Sequence, residues 1–206
     1  MNGLPIITIS RQYGSGGRAI GKLLAGHLGI PYYDNELITL AAQESGFSPS
    51  LFANADQNAS NSLLFSLSMY SDQTGSSAAM PLGEQVFLIQ SNIIRQVAAN
   101  GPCVLVGRCA DYVLGNMCLN VFLHAPLEWR IQHAITNYHL PAAKAREEIL
   151  KTDKKRAVYY SHFTGDKWGD GSHYGLMLDV SCVGVEGAAA VLGSLAHEWA
   201  VLHKTV

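Results

Sequence analysis

Residues 10 to 19, Ser-Arg-Gln-Tyr-Gly-Ser-Gly-Gly-Arg-Ala, place three glycines and two arginines where a β-like run, Ile6-Ile7-Thr8-Ile9, gives way to an apolar helical pattern. A glycine-rich turn between strand and helix presents successive backbone N–H groups at the positive end of the helix dipole, an arrangement suited to phosphate. The main chain of Gln12, Tyr13, Gly14, Ser15, Gly16 and Gly17, with the side chains of Arg11 and Arg18, is therefore the expected nucleotide-binding set. A guanidinium can grip phosphate through two parallel bonds, and each charge-assisted bond contributes about 1.5–3 kcal/mol.

The same glycines fit a second chemistry. Gly14-Ser15-Gly16-Gly17-Arg18-Ala19 satisfies the G-x-G-x-x-A dinucleotide fingerprint, with Asp34 twenty positions beyond Gly14 as ribose ligand. In that fingerprint the strand runs almost directly into the first glycine, whereas here Ser10, Arg11, Gln12 and Tyr13 intervene. The wider loop favours a wrapped β-phosphate. Against the pattern G-x-x-x-x-G-K-[ST], aligned by strand and helix start, the first glycine is Arg11, the second is Gly16 and the lysine position is Gly17, and the hydroxyl that should follow is missing, since Arg18 and Ala19 come next. A later frame ending at Gly21-Lys22 puts the lysine inside the helix and Leu23 in place of the hydroxyl. Another cation must therefore do the lysine's work, and Arg11 and Arg18 are the nearest.

The elements that must carry this loop follow from periodicity. Ile20, Leu23, Leu24 and Leu28 mark a helix that stops at Gly29, a short strand Ile30 to Tyr33 leads to Asp34, and "NELITLAAQESGF" is helical again. Residues 48 to 82 form a polar, partly helical excursion of the kind that supplies binding loops. A helix through "LGEQVFLIQSNIIRQVAANG" precedes the wholly apolar strand Cys103 to Val106, as expected for a central parallel strand. Then come a strand at 119–123, a helix at 127–138, a basic helix near 142–160, a strand at 176–180 and a closing helix at 185–203. Strands alternating with helices predict a three-layer α/β fold, a parallel sheet with helices on both faces.

Bulk properties bound the rest. A chain of 206 residues with 48% hydrophobic and 15% charged residues is expected to form one α/β domain. A net charge of -2 argues against duplex nucleic acid as the main partner. Cys103, Cys109, Cys118 and Cys182 form no C-x-x-C pair and the eight histidines no ligand spacing, so neither a zinc site nor a disulfide framework is expected. With no leader-like segment and no apolar run near ~20 residues, a cytoplasmic protein off the membrane is the expectation.

Taken together, the residues resemble the cytidylate kinase-like branch of the P-loop nucleoside monophosphate kinases, over nearly the whole chain. "ITISRQYGSGGRAIGKLLAGHLGIPYYD" is similar to the branch's opening segment, where the glycine loop ends in G-G-R. "VLVGRCADYVL" is similar to the segment that carries G-R-D in true cytidylate kinases, and "VFLHAPLEWRIQ" to the strand and helix that lead into the lid. "TDKKRAVYYSHFTGDKWGDGSHYGLMLDVS" resembles the lid helix and last strand.

The resemblance implies a P-loop NTPase fold with an acceptor-side insertion near 40–82 and a lid near 141–172. It also implies transfer of the ATP γ-phosphoryl, with Mg²⁺, to a nucleoside monophosphate, nominally CMP, or a related small phosphorylated acceptor. Arg18, Arg130, Lys154, Lys155 and Arg156 are then the expected catalytic cations, and Asp34 and Arg108 the acceptor ligands. The acid after Gly107-Arg108 is replaced by Cys109, which leaves Asp111 as the candidate for steering Mg²⁺. The lost lysine and hydroxyl motivate an alternative, a nucleotide sensor without phosphoryl transfer. A dinucleotide-dependent oxidoreductase is the third reading.

Overall fold

The computed structural model describes residues 3–34 and 82–202. Its five strands are β1 (Ile6–Arg11), β2 (Tyr32–Tyr33), β3 (Val104–Val106), β4 (Cys118–His124) and β5 (Leu176–Asp179). Six α-helices connect and cover them: α1 (Gly17–Leu28), α2 (Leu82–Ala99), α3 (Ala110–Leu114), α4 (Leu127–Tyr138), α5 (Ala142–Thr164) and α6 (Gly184–Leu202). The strands pair in parallel in the order β2-β3-β1-β4-β5, with Ile7 opposite both Val104 and Leu119.

Alternation along the strands divides the core into two layers. Ile7, Ile9, Val104, Val106, Leu119, Val121 and Leu123 face α1 and α6, where they meet Ile20, Leu24, Ala188, Leu192 and Ala196. Leu105 and Cys118 face the other way, toward Val86, Ile93, Ile94 and Val97 of α2 and Val113 and Leu114 of α3. Small residues on α6 let that helix approach α1 closely. On the second face the buried Thr8 hydroxyl donates to Asn120 Oδ1 at 2.9 Å, so this polar pair in the sheet is satisfied.

A third, smaller cluster positions the functional end. Ile131 and Ala134 of α4 pack against Ala145 and Ile149 of α5, and Tyr13 of the glycine loop lies against this helix hairpin. The apolar contact fixes α5 over the loop, although α5 is otherwise mostly polar. Residues 141–172, expected as a lid, comprise α5 and the turns that follow it.

Periodicity located these elements within a few residues. Gly29 adopts φ 65° and its neighbour Ile30 donates to Ala25 O at 3.1 Å, the glycine stop expected for α1. Helix α5 runs beyond residue 160 because its first left-handed stop is Gly165, at φ 77°. The short α3 was absent from the sequence expectations. Its five residues are too few to show a helical stripe. The helix expected at 35–47 and the insertion near 40–82 fall outside the described residues, except where the insertion meets α2 at Leu82. No helix among the described residues is long and apolar enough to cross a membrane.

The dinucleotide reading fails on topology. Its fold places the second strand beside the first, whereas here β3 lies between them. The thiols are free as expected, and burial pushes Cys103 up to about 11 and Cys118 up to about 12, which makes both poor nucleophiles. Leu24→Ala, fully buried between α1 and the sheet, should cost about 2–5 kcal/mol in denaturant unfolding. A change below 1 kcal/mol would contradict this packing.

Candidate active site

Strand β1 is where the order of strand addition reverses: β3 and β2 lie on one side, β4 and β5 on the other. Loops leaving adjacent strands in opposite directions open a crevice at their carboxyl ends, and ligands bind in such crevices. A cleft of about 790 Å³ lies there. The loop after β1 contributes Arg11, Gln12, Tyr13, Gly14, Gly17 and Arg18, the end of β2 Asp34, and the loop after β3 Gly107, Arg108 and Cys109. Helix α5 covers them with Glu148, Thr152, Lys155, Arg156 and Tyr159.

The glycine loop is shaped by two left-handed residues, Gly14 at φ 84° and Gly16 at φ 81°. A Cβ at Gly14 would stand 2.8 Å from the carbonyl oxygen of Arg130, so both backbone angle and space demand glycine there. Ser15 is fully buried, and its hydroxyl donates to Gln12 O at 2.9 Å to close the turn. Gln12 is turned toward the β4–α4 connection: its N–H donates to Leu123 O and its side-chain oxygen accepts from the Ala125 N–H. Its N–H therefore belongs to the scaffold and does not cradle phosphate.

The hairpin of α4 and α5 clasps this loop. Tyr13 N–H donates to Asp153 Oδ1 at 2.7 Å, while Arg130 Nη1 donates to both Tyr13 O and Asp153 Oδ2. Arg130 Nε donates to Ala125 O, and the guanidinium is only 6% exposed. Arg130 is therefore a brace behind the cleft, a correction to its expected catalytic place, because its donors are directed at protein oxygens. Arg156 Nη1 donates to Arg11 O at 2.8 Å, and its guanidinium lies 5.6 Å from the Tyr13 ring centroid. Burial pushes the Tyr138 phenol up, and a backbone hydrogen bond from Gly16 offsets this only in part.

The remaining expected residues separate. Lys155 lines the cleft, but Lys154 is exposed and outside its lining, since the helix turns it away. Arg18 and Asp34, expected to serve different substrates, meet at 2.6 Å (Nε to Oδ2), with Arg18 57% exposed at the rim. Arg108 lines the cleft in a left-handed conformation, φ 62°, between Gly107 at 80° and Cys109 at 53°. Such backbone is costly for side-chain-bearing residues and clusters at functional loops.

Asp111 does not fit as a magnesium ligand. It is buried outside the cleft lining, accepts from the Tyr160 hydroxyl at 3.0 Å, and burial raises its pKa. Among the described residues no three His, Cys, Asp or Glu side chains gather into a metal site.

Asp153 and Tyr138 were missed by the sequence reading. An acid amid lysines on a polar helix looks like a surface ion pair, and nothing local signals a partner 140 positions away. Phe163 of α5 stacks on Phe87 with centroids 4.3 Å apart, and Trp168, beyond the end of α5, meets Phe122 edge-on at 5.3 Å while also lining the cleft.

A parallel sheet of this order, with a strand–glycine loop–helix unit at its switch point and a cationic helix across the mouth, defines a P-loop kinase fold. The chain belongs to the cytidylate kinase-like family, whose model matches residues 6–182. Similar solved structures include an uncharacterized protein from Eubacterium ventriosum, 24% identical, with a TM-score of 0.68 over 94% of this chain and 98% of that one. A shikimate kinase from Bacteroides thetaiotaomicron is 12% identical with a TM-score of 0.54, covering 94% of this chain and 99% of that one. A gluconokinase from Sinorhizobium meliloti is 13% identical with a TM-score of 0.51 and full coverage, 100%, of both chains. No curated protein matches the sequence.

Two outcomes test this geometry. Asp153→Ala strands the buried Arg130 charge and should cost about 3 kcal/mol or more in chemical unfolding. A cost under 1 kcal/mol would show that the clasp does not hold the loop. Because the folded pKa of Asp111 lies above its unfolded value, its contribution is fully present below about pH 3.8 and is lost as pH rises through the folded value. Asp111→Asn should therefore raise the melting temperature at pH 7 more than at pH 4. An equal shift at both would contradict the assignment.

Proposed function

We propose that this protein transfers a phosphoryl group from ATP to a small phosphorylated acceptor, nominally a nucleoside monophosphate such as CMP. The observation that carries the reading is the convergence of the three strand-end loops with the basic face of α5 on one cleft. Phosphoryl transfer requires alignment of two phosphates and neutralisation of their charge far more than covalent participation by the protein. Arg18 at the first turn of α1 and Lys155 and Arg156 on α5 neutralise charge around the donor. Arg108 receives the acceptor phosphate, and Asp34, held by Arg18, accepts hydrogen bonds from acceptor hydroxyls or amines.

Magnesium, when bound with the nucleotide, supplies charge compensation for the phosphate oxygens and is coordinated mainly by phosphate and water. The described carboxylates do not form a cage for it. The missing loop hydroxyl, with Arg18 and Ala19 following Gly17, and the occupation of Tyr13 N–H by Asp153 support the second reading, a nucleotide sensor in which the α4–α5 hairpin responds to binding.

Product formation separates these. Purified protein incubated with ATP, Mg²⁺ and each nucleoside monophosphate should yield a diphosphate, and Lys155→Ala should abolish most of that turnover. ATP binding without product from any acceptor would favour the sensor. Arg18→Ala should weaken triphosphate binding by about 1.5–3 kcal/mol in calorimetry, one charge-assisted bond. Unchanged affinity would remove Arg18 from the donor site.

A further inference from the structure

Gly17 has no conformational reason to be glycine. It is the first residue of α1, and its φ is outside the left-handed region, unlike Gly14 and Gly16. Glycine at a helix start is less stable than alanine, so a neighbour must need the space. That neighbour is Arg11. A Cβ at Gly17 would lie 2.7 Å from Arg11 Cγ and 2.9 Å from Arg11 Cβ. These atoms are the root of the side chain, and the Cβ, fixed by the backbone, cannot swing aside. The Arg11 backbone is fixed in register opposite Leu123, and its carbonyl oxygen accepts from Arg156.

Beyond Gly17 the Arg11 side chain reaches Gly107, the residue after the neighbouring strand β3, where its guanidinium lies against the position a Cβ would take. Arg11, Gly17 and Gly107 all line the cleft. The charged end is thus delivered from the glycine loop toward the loop that bears Arg108.

In the G-x-x-x-x-G-K-[ST] pattern the first position is glycine and the seventh is a lysine that reaches the β- and γ-phosphates. Here the first is Arg11 and the seventh is Gly17. We propose that these two departures are a single exchange: Arg11 supplies from the start of the loop the cation that a lysine at position 17 would supply. Its aliphatic stem fills the space such a lysine would need, so the two side chains exclude each other. A guanidinium in this place forks across two phosphate oxygens, where an ammonium acts as a point charge. The assignment rests on the reading that a polyphosphate occupies the glycine loop. It adds which cation grips that polyphosphate and why the lysine is absent.

The full chain and the variants Arg11→Met, Arg11→Gly, Gly17→Lys and Arg11→Gly/Gly17→Lys would be titrated with Mg-ATP and with inorganic tripolyphosphate, and each would be melted. Arg11→Met keeps the stem and removes the charge. It should retain the wild-type melting temperature and bind both probes about tenfold or more weakly. Gly17→Lys alone should lose both stability and affinity, because its Cβ meets the Arg11 stem. Together with Arg11→Gly it should recover affinity above either single variant. Wild-type affinity in Arg11→Met, or a double variant no better than the worse single one, would overturn the exchange while leaving the site reading intact. A folded wild-type chain that binds neither probe would overturn both.

Discussion

The main chain of Tyr13 is gripped on both sides by one buried ion pair, its N–H by Asp153 and its carbonyl oxygen by Arg130. A glycine loop with left-handed turns at Gly14 and Gly16 has many accessible shapes and little intrinsic preference among them. Fixing one shape requires external partners for its backbone groups, and buried amides require acceptors in any case. The clasp meets both needs. Because its two members come from α4 and α5, the shape of the loop and the docking of the helix hairpin are one structural event.

That coupling explains how cationic side chains are divided between scaffold and cleft. Arg130 is buried and its donors are directed at protein oxygens, so it stabilises geometry without facing a ligand. Arg156 does both, since it lines the cleft while donating to Arg11 O. Arg18 sits at the rim against Asp34, where solvent weakens the pair and leaves the guanidinium able to exchange one anion for another. The same residue type thus carries different roles according to burial. Asp111 is the acidic counterpart: placed beneath Tyr160 and out of the cleft, it is driven toward its neutral form by the cost of burying charge.

Much of the architecture was legible because it depends on local periodicity. The short, mostly apolar runs of β1, β3 and β4, buried on both faces, and the helical stripes of α1 and α2 each report burial on a length scale no longer than the element itself. Helix α3 escaped notice because a single turn has no period. The loop's chemistry was legible too, since glycine spacing at a strand–helix junction constrains the backbone directly. The roles of Arg130, Lys154 and Asp111 were not, for each was assigned from the resemblance and its charge, which carry no information on its tertiary partners.

The sequence by itself determined a parallel α/β sheet, the place of the glycine loop at the end of its first strand, and the absence of a lysine from the expected position. These follow from residue type and spacing within a few turns of chain. Only the tertiary structure decided that β3 lies between β1 and β2, which arginine enters the cleft and which braces it, and why Gly17 must be glycine. Such facts depend on pairs far apart in sequence, Tyr13 with Asp153 and Arg11 with Gly107, whose meeting is set by the packing of whole elements and by no local signal.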